Sequence, residues 1–222
     1  MIKLIINADD FGYSKLFNKM ILELIAEKAV TSTSVMIDEL DSGQKEQTKK
    51  LISLSKKNLV SVGLHVYFKN SNFQQELQRQ FDAFVNTFGF EPSHIDIHKM
   101  DHLKEGYPII QLFCIKNKIP CKNLSKYGKD IMLNNKMLIT TTDSSFTGTK
   151  KSFGEIKKWL SSLENGFHVI VFHPGYYDPE SKSSLNRERE DDAENCRKIV
   201  RILPEYNIQL ANFRDLTNSF SH

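Results

Sequence analysis

Ile2-Lys3-Leu4-Ile5-Ile6-Asn7-Ala8-Asp9-Asp10-Phe11-Gly12 opens the chain and decides how the rest is read. Ile2 to Asn7 is a short apolar run suited to a buried strand, and Ala8-Asp9-Asp10-Phe11-Gly12 breaks it. Ser14 stands where a helix N-cap belongs. Leu16, Phe17, Met20, Ile21, Leu24 and Ile25 then recur at helical spacing, so Lys15 to Glu27 reads as an amphipathic helix. The first unit is therefore strand, acidic turn, helix, with two carboxylates just after the strand.

That unit recurs along the chain. Strands are expected at Thr31 to Ile37, Leu59 to Val66, Ser93 to His98, Phe167 to Phe172 and Ile208 to Ala211. Helices are expected at Gln44 to Lys57, Phe73 to Phe88, Tyr107 to Asn117, Ser152 to Leu163, and from the end of the His173 to Asn186 loop to near Leu203. Gly89 sits where a C′ glycine belongs, and Pro108 falls in the first turn of its helix. Residues 123–150 are rich in Asn, Lys, Thr and Ser and form an excursion, with a strand candidate at Met137 to Thr141 and another just before it at Ile119 to Lys122. Alternating strands and helices mean parallel strands joined by right-handed crossovers. The expected fold is α/β: an irregular, TIM-barrel-like (β/α) barrel of about seven or eight parallel strands, forming a single domain over residues 1–222. A doubly wound open sheet is the alternative, although the first strand lacks the glycine fingerprint of a dinucleotide fold.

Composition narrows the function. The 222 residues suit one well-buried domain, and 40% hydrophobic with 26% charged residues is ordinary for a globular protein. A net charge of +3 without a basic face argues against a nucleic-acid partner; Lys49-Lys50 and Lys56-Lys57 read as a solvated helix face. No apolar run approaches the roughly 20 residues of a membrane span. Cys114, Cys121 and Cys196 form no close-spaced pair, which points to a reducing compartment. Met1 to Ile6 is too short for a signal peptide, so the expected location is the cytoplasm.

The chemistry lies in the positions of acids and imidazoles. Asp9 and Asp10 follow the first strand; His65 ends the Leu59 to Val66 strand; His94, Asp96 and His98 alternate along the next, with Asp101 and His102 after it; His173 ends the Phe167 to Phe172 strand. Carboxyl ends of barrel strands converge on one face, where barrel active sites lie. Taken singly, an Asp after a strand is commonly an N-cap and a lone His a hydrogen-bonded structural group. Four strand ends carrying such groups, with five of the seven histidines among them, are not read singly. His168 and His222 are expected to be a structural and a tail residue. Two imidazoles and a carboxylate leave open positions on a divalent cation, which activates water and polarises a carbonyl. Of two adjacent aspartates, one can bind the metal while the other acts as base. Zn²⁺ or Mg²⁺ leads the choice of metal, with Mn²⁺, Co²⁺ and Ni²⁺ also compatible.

Asn7-Ala8-Asp9-Asp10-Phe11-Gly12, Val62-Gly63-Leu64-His65, His94-Ile95-Asp96-Ile97-His98 with His102, and His173-Pro174-Gly175, in that order, resemble the YdjC-like carbohydrate deacetylases. The resemblance runs from Ile2 to about Leu216, with Arg187-Glu188-Arg189-Glu190 and Phe213-Arg214-Asp215-Leu216 similar to its C-terminal elements. It implies a (β/α) barrel-like fold and metal-dependent removal of an acetyl group from N-acetylated sugars. It makes Asp10, His65 and His98 the metal ligands, Asp9 the base, and His173 the acid or oxyanion partner. Asp96 and His102 fall in a supporting shell or substrate rim; Tyr67 and Tyr176, with Phe68 and Tyr177, offer rings for a sugar. Three departures fall where substrate would be read: Met100 stands where the family has His, Tyr67 replaces an aliphatic residue, and the segment between His65 and His94 is short. The expected partner is a small acetylated sugar, and a homodimer is compatible. Competing readings are a metal-dependent phosphoesterase, for which Asp96 and Asp101 could serve a second metal, and a non-catalytic sugar-binding protein on the same fold.

Overall fold

The computed structural model describes residues 1–98, 103–122 and 152–218, together with 132–133, 136–137 and 142–145. Its first strand, β1 (Ile2–Phe11), is followed by α1 (Lys15–Ala26), β2 (Ser32–Val35), α2 (Lys45–Lys56), β3 (Ser61–Val66), α3 (Phe73–Phe88), β4 (Ile95–Ile97) and α4 (Leu103–Asn117). After a short antiparallel pair, β5 (Met132–Leu133) and β6 (Lys136–Met137), come β7 (Thr142–Ser145), α5 (Phe153–Ser161), β8 (Gly166–Phe172), α6 (Arg189–Ile202), β9 (Ile208–Leu210) and α7 (Phe213–Asn218). The main sheet runs β4-β3-β2-β1-β8-β7, every pairing parallel, with β9 against the first residues of β1.

This order decides between the two expected architectures. A doubly wound sheet reverses direction at a switch point, whereas a barrel keeps chain order and closes its first strand onto its last. Here β1 lies between β2 and β8, the circular order of a barrel. The fold is thus α/β with a curled, half-barrel parallel sheet. No pairing joins β4 to β7 among the described residues, so closure into a full barrel of seven or eight strands is not seen. Beyond β4 the described order gains only an isolated parallel bridge, Ile95 to Cys121, where the sequence suggested a strand at Ile119 to Lys122.

Side-chain parity builds the interior, since successive residues of a strand point to opposite faces. Leu4, Ile6, Ala8, Val62, Leu64 and Val66 join the large core between sheet and helices. Ile5, Val169 and Val171 point the other way and meet Phe213 and Leu216 of α7 and Ala211 before it, a second small core that plugs the inside of the curl. Residues of that inner parity further along the strands, Asn7 and Asp9 on β1 and His173 after β8, lie above the plug.

Two expectations are corrected. The helix containing Pro108 begins a turn earlier, at Leu103, so the proline is interior and not in the first turn. Its ring supplies no N–H for the carbonyl four residues back, which costs that helix one bond. The first strand does not stop at Asn7; it continues through both aspartates to Phe11. Elsewhere Phe73–Phe88 ends at Gly89 with φ +74°, a left-handed cap that glycine adopts without strain. Met100, Asp101, His102 and most of the Met137 to Thr141 candidate lie outside the described residues. No helix among the described residues is long and apolar enough to cross a membrane.

Candidate active site

Parity alone would send Asp9 inward and Asp10 outward. The backbone changes this: Ala8 pairs with Thr33 and Phe11 with Val35, so three steps on β1 oppose two on β2. The extra residue is a bulge, and Asp10 takes a left-handed φ of +71°. Bulges re-aim side chains, and a non-glycine residue held at positive φ marks a conformation the surroundings must stabilise. Both carboxylates thereby enter one cluster. The register of the next strands completes it, since His65 of β3 lies directly beside Asp96 of β4.

Asp10 Oδ1 lies 3.5 Å from His65 Nε2 and 3.2 Å from His98 Nδ1, and the two imidazole nitrogens are 3.1 Å apart. A tetrahedral ion with bonds of about 2.0–2.1 Å holds its ligand atoms about 3.3 Å apart. The three atoms therefore already have the mutual spacing of a ligand set. Among the described residues, buried Asp10 Oδ1 meets no donor besides these two imidazoles, an uncommon state for a buried carboxylate oxygen. The donor set, two nitrogens and one carboxylate oxygen, fits a divalent cation.

Neighbours fix each member. His65 Nδ1–H donates to Asp96 Oδ1. Asp96 Oδ2 accepts from Ser34 Oγ at 2.8 Å, and Ser34 Oγ accepts from Asn7 Nδ2 at 3.0 Å. Because the Ser34 hydrogen goes to Asp96, the 3.0 Å contact from His94 Nε2 must be N–H donating to Ser34 Oγ, which leaves His94 Nδ1 to accept from Ser93 Oγ at 3.1 Å. His94 is thus no ligand. It stacks on Phe213 at 3.8 Å and fills the space above Gly63, where a Cβ would come within 2.3 Å of its ring. Burial depresses its pKa to about 3 and keeps it neutral. Burial acts against charge on His65 too, but Asp96, Asp9 and Asp10 outweigh it and raise its pKa to about 10. Burial would likewise raise Asp10, yet His65, His98, His173 and Arg189 hold it well below the usual carboxylate range.

Two cations absent from the sequence-derived site stand against the aspartates. Arg189 is fully buried, stacks 3.8 Å over Phe17, and donates from Nη2 to Asp10 Oδ2 at 2.6 Å and to Ser183 Oγ at 2.9 Å. It leaves Asp10 Oδ1 facing the histidines. Lys122 Nζ lies 3.1 Å from both oxygens of Asp9 and also contacts Asp96 Oδ2. Arg189 had a signal, as part of the C-terminal resemblance. Lys122 had none beyond its place at the end of a short apolar run.

His173 is held through its backbone: its N–H donates to Asp192 Oδ2 at 2.8 Å and its carbonyl accepts from Arg189 Nη1 at 3.2 Å. Its Nε2 lies 4.0 Å from Asp9 Oδ2, so the base and acid candidates stand side by side. Gly175 serves internal packing, because a Cβ there would come within 2.5 Å of Phe17 and 3.0 Å of Arg189. Tyr67 stands edge-on to His98 at 5.2 Å. Tyr176 is drawn away: its hydroxyl donates to Glu23 of α1 at 2.5 Å and Lys19 lies 5.0 Å over its ring. Phe68 is core, and Tyr177 is exposed. His168 is structural, bonded to the Glu164 carbonyl at 2.8 Å.

The arrangement can be set beside known proteins. Residues 3–73 and 68–201 match the YdjC-like protein family. The chain belongs to that family. A carbohydrate deacetylase from Clostridium beijerinckii is 28% identical, with 96% of this chain and all of the relative aligned. A chitooligosaccharide deacetylase from Serratia marcescens is 26% identical, covering 96% and 98%. Among solved structures, an Enterococcus faecalis protein proposed to cleave cellobiose phosphate superposes with a TM-score of 0.75 at 21% identity, over 97% of this chain and 98% of the other. A family 4 acetyl xylan esterase from Clostridium thermocellum, solved with cobalt, superposes with a TM-score of 0.55 at 9% identity, over 97% and 90%. At those identities the two structures bear on the fold alone.

Proposed function

We propose that the protein is a metal-dependent carbohydrate deacetylase, hydrolysing the acetamide of an N-acetylated sugar to acetate and a free amine. The observation that carries this is the Asp10, His65, His98 triangle, 3.1–3.5 Å on each edge, with the separate carboxylate of Asp9 beside it. The deacetylase names of the family relatives give the reaction class. Asp10, His65 and His98 would hold the cation, with Zn²⁺ or Mg²⁺ leading and Mn²⁺, Co²⁺ or Ni²⁺ compatible. When bound, it supplies Lewis acidity toward a water and the acetyl carbonyl. Arg189 fixes Asp10 so that one oxygen stays turned to the ligand triangle. Asp9 takes the proton of the attacking water, and His173 delivers one from Nε2 to the departing amine nitrogen, which leaves poorly until protonated. Tyr67 lines the approach beside His98.

The phosphoesterase reading asks for a second cation bound by further carboxylates. The ammonium of Lys122 already fills the space between Asp9 and Asp96, and this favours one cation. A non-catalytic sugar binder would need no carboxylate beside the ligand set. Metal analysis together with acetate release from a panel of N-acetylated sugars tests the reading. In that assay Asp9→Asn should retain metal and lose about 10²–10⁴ in turnover, the scale of a lost general base. Asp10→Asn should lose the metal. Equal metal loss in both variants would end the division of roles.

A further inference from the structure

Two overlapping sets of side chains in this cluster could each hold a cation. Asp10, His65 and His98 form one; Asp9, His65 and Asp96 form the other, with its ligand atoms also close together and all three residues buried. His65 belongs to both. Nothing in the acidic residues themselves says which set takes the metal or which aspartate stays off it.

Lys122 makes the distinction. Its ammonium straddles both oxygens of Asp9 at 3.1 Å and contacts Asp96 Oδ2, inside the second set. The first set has a different cation, Arg189, which touches only the far oxygen of Asp10. Asn7 Nδ2 adds a 2.6 Å bond to Asp9 Oδ1, so the lone pairs of Asp9 are largely directed at fixed donors. The lysine is held in place from outside the site. Tyr107, buried on α4, donates its hydroxyl to the Lys122 carbonyl at 2.6 Å, and the preceding residues lie against β4 through the Ile95 to Cys121 bridge and an Ile95 N–H bond to the Pro120 carbonyl at 2.9 Å. A buried ammonium between two carboxylates supplies positive charge where a metal ion would otherwise supply it.

We propose that Lys122 is a positioning residue that occupies the Asp9–His65–Asp96 set as a built-in cation, confining the metal to Asp10, His65 and His98 and reserving Asp9 as the base. This rests on the metal-site reading above. Without Lys122, Asp9 and Asp96 are two buried carboxylates sharing one imidazole, and they recruit a divalent ion in its place.

Cobalt titration of the metal-free protein, followed by visible absorption and by thermal unfolding, separates the outcomes. The wild type should bind one equivalent. Lys122→Met should bind a second, weaker equivalent and gain more thermal stability from excess Co²⁺ than the wild type does. Deacetylation should fall about 10²-fold as Asp9 is drawn onto metal. Lys122→Arg, which keeps the charge, should stay at one equivalent, and Asp96→Asn with Lys122→Met should lose the second. If Lys122→Met folds poorly without metal, Co²⁺ should rescue it, and the Asp96→Asn double variant should not be rescued to the same extent. One equivalent in Lys122→Met, absence of the extra stabilisation, or two equivalents in Lys122→Arg overturns the assignment. A wild type that binds no Co²⁺ overturns the metal-site reading itself, a result distinct from any failure confined to the variants.

Discussion

The carboxyl ends of β3 and β4 and the carboxyl end of β8 face each other across Asp9, and they are built on opposite plans. On the first side the bonds run from side chain to side chain: His65 to Asp96, Asp96 to Ser34, Ser34 to Asn7 and His94, and His94 stacked on Phe213. On the second side His173 is fixed through its own backbone N–H and carbonyl, by Asp192 and Arg189. A ligand must keep one nitrogen aimed at one point, and a chain of side-chain bonds sets both tautomer and ring angle. A proton donor must meet a substrate atom that arrives later. Anchoring the backbone sets where the ring stands, with Nε2 4.0 Å from Asp9 Oδ2.

Breaking the second side should have the larger effect on amide chemistry. His173→Gln should keep its metal and lose on the order of 10²–10⁴ in cleavage of an N-acetyl sugar, while an activated acetate ester, whose leaving group needs no proton, is still hydrolysed. Parallel losses on both substrates would assign His173 to carbonyl or metal-site support instead.

Breaking the first side should show in affinity. Asp96→Ala should weaken metal binding by about 10–100-fold, the usual cost of losing the carboxylate behind a ligating histidine. Metal titration against a competing chelator reads this directly. Unchanged affinity would mean that the side-chain chain from His94 to His65 does not hold the ligand.

The smallest effect sharpens the same contrast through pH. In the metal-free protein His65 has its pKa raised from 6.5 to about 10, so its ion pairing contributes fully below about 6.5 and is lost as pH rises through 10. Asp10 is lowered from 3.8, so its contribution is present above that value and is lost as pH falls further. The thermal midpoint of metal-free protein should decline by a few degrees from neutral pH toward 10, and His65→Gln should flatten that decline. Bound metal should flatten it too, because ligation requires the neutral ring. A slope identical in wild type and His65→Gln would remove His65 as its source.

Much of this was legible locally. Periodicity located α3 to the residue and the other long helices to within a few, because helix and strand patterns are written in adjacent side chains. Strand ends bearing Asp9, Asp10, His65, His98 and His173 were visible for the same reason. The outcome was less faithful where non-local packing intervened. The first strand runs on through its aspartates because β2 pairs with it again beyond them, Phe11 against Val35. Tyr176 turns to Glu23 because α1 lies beside its loop. Residues 99–102, with Asp101 and His102, lie outside the description.

By itself, then, the sequence determined the parallel α/β alternation and the set of acids and imidazoles carried by strand ends, since both are consequences of residue order along single elements. Tertiary structure decided how those groups differ from one another. The bulge that turns Asp10 inward exists only against the register of β2. The cations that separate Asp9 from Asp10 come from Lys122 and Arg189, 113 and 179 residues away along the chain. Two adjacent aspartates are chemically equivalent in a linear sequence; they become unlike only when folding buries each against a different positive charge, in surroundings too poor in water to screen it.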